Sequence, residues 1–129
     1  MATGAPETPP RGAVLLLTSD IAVGAFARGA AEQLGTAFVQ VLDAPSVVRR
    51  LAELAPPAIV VVNLETHGLE IAALVSELSQ QPNAPRAVIA FGPHVHEQRL
   101  QAARDAGCTE VLSRGKFYAH AMEIVGKYL

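Results

Sequence analysis

Three short runs containing nothing but apolar residues, at 13–17 (AVLLL), 58–62 (AIVVV) and 87–91 (AVIAF), constrain this chain more than any other feature. A strand with one wet face alternates polar and apolar residues, whereas an all-apolar run of four to six residues belongs to a strand covered on both faces. Between these runs lie longer amphipathic stretches with helical spacing. The chain therefore reads as strand then helix, five times over. Strands are expected at 13–17, 37–42, 59–62, 87–91 and 110–112. The first helix follows Asp20, a good N-cap, and runs to Leu34, with Val23, Phe26, Ala27, Ala30 and Leu34 inward and Gly35 closing it. A second spans about 45–54, with Val47, Val48, Leu51 and Leu54 inward. The third spans about 68–79, with Leu69, Ala72, Ala73, Leu74 and Leu78 available for burial. A fourth spans about 95–106 before Gly107, and the fifth about 117–128. Residues 1–12 (MATGAPETPPRG) hold three prolines and no apolar period, so they read as a flexible leader to one domain over 13–129.

Strands alternating with helices imply a parallel sheet with right-handed crossovers and helices on both faces. Ligand sites in such folds lie beyond the carboxyl ends of the strands. That rim should hold Thr18, Ser19, Asp43, Asn63, Gly92 and Ser113. The stretch after the first strand, Leu17-Thr-Ser-Asp-Ile, has none of the glycines that cradle a phosphate in dinucleotide or P-loop enzymes.

Ten Lys and Arg against twelve Asp and Glu give a net charge of −2, so nucleic acid is not the expected partner. The apolar runs are too short to cross a bilayer, and the first residues lack the basic start and long apolar stretch of a signal peptide, so neither membrane insertion nor secretion is expected. The one cysteine, Cys108, has no disulfide partner and reads as a small buried filler in a cytoplasmic protein. His94 and His96, with His67 or Glu97 nearby, have no third ligand set by spacing and read as surface groups at the start of the fourth helix; no metal or other cofactor is expected.

Three stretches, in this order and at this spacing, resemble the receiver domains of bacterial response regulators. They are Ile59-Val-Val-Val-Asn-Leu-Glu-Thr-His-Gly68-Leu-Glu, Ala87-Val-Ile-Ala-Phe-Gly92 and Ala102-Ala-Arg-Asp-Ala-Gly107-Cys-Thr-Glu-Val-Leu-Ser-Arg114. The resemblance covers 13–129 and implies a three-layer, doubly wound (βα)5 fold of the flavodoxin or CheY-like type, with strand order 2-1-3-4-5. It also implies what is missing. The phospho-accepting aspartate is matched by Asn63, whose amide cannot form an acyl phosphate. The acids that hold Mg²⁺ are matched by Thr18 and Ser19, with Asp20 one step late. The switch hydroxyl is matched by Gly92, and the proline with its cis bond by Gly115. Only the cation position survives, as Arg114 for a lysine.

The expected function is thus that of a stand-alone pseudo-receiver: not an enzyme, but a phosphorylation-independent module that binds another protein or a second copy of itself. Receivers commonly do so through the face of helix four, strand five and helix five. Helix five has a core stripe of Phe117, Ala121, Ile124 and Tyr128, which leaves Tyr118, Met122, Val125 and Leu129 as an apolar surplus; Arg99 is the expected rim charge beside Tyr118 and Met122. The alternative is a sensor or enzyme for a small anion, held at the rim by Thr18, Ser19, Asn63 and Arg114.

Overall fold

In the computed structural model, which describes residues 11–129, the strands are β1 (Ala13–Leu17), β2 (Ala37–Val41), β3 (Ala58–Asn63), β4 (Ala87–Gly92) and β5 (Glu110–Ser113). The helices are α1 (Ile21–Leu34), α2 (Ala44–Leu51), α3 (Ile71–Ser79), α4 (Glu97–Ala106) and α5 (Arg114–Gly126). All pairings are parallel, in the order β2-β1-β3-β4-β5. The expected (βα)5 architecture is therefore the observed one. No helix among the described residues is long and apolar enough to cross a membrane.

The all-apolar strands supply two cores, because successive side chains leave a strand on opposite faces. Val14, Leu16, Ile59, Val61, Ile89 and Phe91 meet α1 and α5 on one face; Leu15, Leu17, Val60, Val62, Val88 and Ala90 meet α2, α3 and α4 on the other.

Residues 1–10 of the expected leader lie outside the described residues. Its last two, Arg11 and Gly12, belong to the fold. The Arg11 N–H donates to the Gly35 carbonyl at 2.8 Å and the Gly12 carbonyl accepts from Ala37 at 3.2 Å. Gly12 has φ +66°, and a Cβ there would run into the Pro57 carbonyl, so glycine is required by space as well as by conformation.

Helix boundaries shift for identifiable reasons. α3 begins at Ile71 rather than near 68 because Gly68 adopts φ +74°, outside the helical region. That helix buries Leu74 and Leu78 but leaves Ala72 and Ala73 exposed, contrary to expectation. α2 ends at Leu51 and passes into turns that still leave Leu54 packed on the core. α4 starts at Glu97, with Val95 in the preceding loop and 72% exposed. α5 starts three residues early, at Arg114, because the Ser113 hydroxyl caps it by accepting from the Lys116 N–H at 3.1 Å.

Candidate functional site

The ends of β1 and β3 meet at the rim through two buried polar side chains. Thr18 is fully buried and Asn63 is 4% exposed. Asn63 Nδ2 donates to Thr18 Oγ1 at 3.0 Å, and the same oxygen accepts from the Asp20 N–H at 3.1 Å. Asn63 Oδ1 accepts from the Glu65 N–H at 3.0 Å, which turns the chain out of β3. The Asn63 carbonyl accepts from the Thr66 hydroxyl at 2.7 Å. Both ends of the Asn63 amide are thus committed inside the protein, one as donor and one as acceptor, a pairing that a carboxylate does not offer. Ser19, the other residue matched to the missing acids, is exposed. Gln40 on β2 completes the floor, its Nε2 donating to the Thr18 carbonyl at 3.0 Å.

Above this floor Arg114 reaches across the rim to two carboxylates. Its Nη2 lies 2.9 Å from Asp20 Oδ2 and its Nη1 2.7 Å from Glu65 Oε1. The loops after β1 and β3 and the start of α5 are thereby tied by one guanidinium with two charge-assisted bonds. Asp20 is bound twice over, since its Oδ1 also caps α1 by accepting from the Val23 N–H at 3.1 Å. The Val23 amide, then the Arg114 guanidinium, hold the Asp20 carboxyl below its ordinary value of 3.8, against an opposing desolvation cost. A group with a depressed folded pKa stabilises the fold above its unfolded pKa, and that stability is lost as pH falls through the folded value. Arg114→Met is therefore expected to lower the urea midpoint at pH 7, with the difference from wild type shrinking below about pH 4 as the Asp20 carboxylate protonates. An equal difference at pH 7 and pH 3 would show that Arg114 acts through packing and not through charge.

Of the remaining rim positions, Asp43 and Ser113 are taken up as helix caps, Asp43 Oδ1 accepting from the Ser46 N–H at 2.9 Å and the Ser113 hydroxyl from the Lys116 N–H at 3.1 Å. Gly92 ends β4 with its Cα against Leu64, whose Cβ would lie 3.4 Å from any Cβ added there. The peptide after Arg114 is trans; the cis bond among the described residues is Pro56-Pro57. His67 and His94 are exposed and His96 is half-buried, with its Nδ1 out of solvent and without a hydrogen-bond partner. Among the described residues no three His, Cys, Asp or Glu side chains come together as a metal site requires. Cys108 is half-buried, and burial pushes its thiol up to about 11, so it is protonated at neutral pH.

The residues expected to share one recognition face do not share one. Tyr118 and Met122 line a groove of about 490 Å³ between α1 and α5, with Phe26, Gly29 and Ala30 opposite. Arg99 lies on the far side of the sheet, where α4 faces the loop before α3. The apolar surplus of α5 is largely absorbed by α1. The Tyr118 ring sits 4.7 Å from that of Phe26, Val125 is 6% exposed, and Leu129 rests on the same core. Met122 alone stays open, at 37%. Sequence reasoning also missed Glu65 as a partner of Arg114. The two are 49 positions apart, and nothing local to either announces the contact.

No family model matches the chain, and no curated protein matches it by sequence. Solved structures do match. The receiver domain of sensor histidine kinase PA1611 from Pseudomonas aeruginosa PAO1, which has a magnesium ion coordinated in its active site cleft, superposes with a TM-score of 0.76 at 17% identity, over 91% of this chain and 96% of that one. Chemotaxis response regulator CheY4 of Vibrio cholerae gives 0.72 at 12% identity, over 91% and 98%. Full-length FixJ from B. japonicum gives 0.75 at 16% identity, and the match covers 92% of this chain but only 58% of FixJ. With the strand order, the helix layers and these superpositions in agreement, the chain has the fold of the response-regulator receiver domains.

Proposed function

We propose that this domain is a pseudo-receiver, a signalling module in a bacterial two-component setting that binds a protein partner without aspartyl phosphorylation and catalyses no reaction. The observation that supports the reading most is the Asn63 amide, buried and bonded at both ends where a phosphoryl acceptor would have to be a free carboxylate. Arg114 supports it from above. Its charge is matched by Asp20 and Glu65, which leaves an incoming anion to compete with two carboxylates already in place; the same contact weighs against a small-anion sensor at the rim. The surface offered to a partner is the α1–α5 groove, with Met122 as its exposed apolar residue.

Acetyl phosphate with Mg²⁺ is expected to leave the intact mass unchanged, both for the native chain and for Asn63→Asp, since the single change restores an acceptor without restoring the acids that hold the metal. Binding of a purified partner is expected to be equal with and without the phosphodonor and to be lost in Met122→Glu. A hydroxylamine-labile phosphoryl adduct on the native chain would overturn the proposal.

A further inference from the structure

The sheet has two edge strands, and the chain treats them differently. β5 has four residues, and Glu110 at its start binds Lys127 Nζ at 2.8 Å and Tyr128 Oη at 2.7 Å, so charged groups stand beside that edge. Short length and charge are the usual means of keeping another strand from adding to a sheet. β2, of five residues, carries no charge within the strand itself. Residues 36–42 read TAFVQVL, seven in a row without a charge, a proline or a glycine.

The orientation of its backbone follows from two hydrogen bonds. The Ala37 N–H donates to Gly12 and the Val41 carbonyl accepts from Thr18, so residues 37, 39 and 41 turn their peptide groups toward β1. The period of two puts the N–H and C=O groups of Phe38 and Gln40 on the outer side, where no strand of this chain lies. The side chains leave that edge open. α2 packs mainly on β1, residues 37–40 are only half-buried, and Leu42 is 63% exposed. On the opposite face the Arg28 guanidinium lies over the Phe38 ring, 4.9 Å from its centroid.

We propose that β2 pairs with β2 of a second copy of this chain, antiparallel about a two-fold axis at Val39, joining two five-stranded sheets into one of ten. The strand is self-complementary in that arrangement. Phe38 stands opposite the partner's Gln40 and Gln40 opposite the partner's Phe38, and these are the outward-facing residues that exchange both N–H···O bonds in an antiparallel ladder, about four bonds in all. Ala37 stands opposite the partner's Val41, and Val39 opposite itself. Residues 37–41 of both strands carry no charge, and the contact is closed by its own symmetry, so it stops at a dimer. The pairing uses a different surface from the α1–α5 groove and stands whether or not that groove binds a partner.

Sedimentation velocity on the native chain over a range of concentrations is expected to show a monomer–dimer equilibrium. Val39→Arg sets two guanidiniums against each other at the axis and is expected to raise the dissociation constant at least about tenfold. Should that variant fail to fold, Val39→Cys provides the second arm. A non-hydrogen-bonded antiparallel pair brings its two Cα atoms to about 4.5 Å, within reach of a disulfide. Mild oxidation is expected to convert this variant to a covalent dimer while the native chain, which carries only the protonated Cys108 thiol, does not cross-link. A native chain that stays monomeric throughout, a dimer unaffected by Val39→Arg, or a Val39→Cys chain that fails to cross-link would each overturn the proposal.

Discussion

Truncating Phe117 to alanine is expected to lower the stability of this chain by about 3–5 kcal/mol. The ring is 2% exposed, stacks on Phe91 with centroids 4.1 Å apart and planes 3° from parallel, and receives the edge of Phe26 at 5.8 Å. Phe91 is fixed in the interior of β4 and Phe26 on α1, so neither can move far into the space left behind. Loss of burial and an unfilled cavity therefore act together, and a domain of this size has only about 5–15 kcal/mol in total. Met122→Ala, on the same helix but open to water, is expected to cost less than about 1 kcal/mol. Urea melts of the two variants measure the contrast. Similar midpoints would place Phe117 outside the core that α1, α5 and the sheet share.

Ile89→Ala is expected to cost about 2–5 kcal/mol by the same physics, applied to the sheet itself. Ile89 is fully buried in β4, with Val61 of β3 as its register partner on one side and Glu110 of β5 on the other. Val61→Ala should cost less, because fewer atoms are removed. The two side chains are neighbours on the α1–α5 face, so the double variant is expected to depart from the sum of the single ones as the cavities merge. Near-native urea midpoints for Ile89→Ala and Val61→Ala would reject a sheet covered on both faces.

The fold was legible because its strongest signals are local and repeated. Runs such as 58–62 have no polar face, which only a doubly covered strand tolerates. Asp20 and Gly35 punctuate α1 as a cap and a left-handed stop. The candidate site was legible position by position: Thr18, Asn63, Gly92 and Arg114 do stand at the carboxyl ends of β1, β3, β4 and β5. What they bind was not. Arg114 lies 94 residues from Asp20 and 49 from Glu65, and an arginine at that position reads equally well as an open anion site until both carboxylates are seen to hold it.

Helix five shows the same division. Its composition gives a core stripe, but the split into buried and free residues depends on its neighbour and on its own bend. The backbone leaves helical geometry at His120 (φ −131°, ψ 15°), and α1 lies close enough for Tyr118 to meet Phe26 and for Val125 to be buried beside Ile124. An unbroken helical period assigned Tyr118, Met122, Val125 and Leu129 to a free face; three of the four rest on the core shared with α1. Sequence alone thus determined the order of elements, the covered sheet and the absence of an acceptor carboxylate at residue 63, because hydrophobic period, caps and residue chemistry are properties of neighbours along the chain. Tertiary structure alone decided which cation is already paired, which apolar residues stay exposed and which sheet edge lies open, because each depends on groups tens of residues apart that only packing brings together.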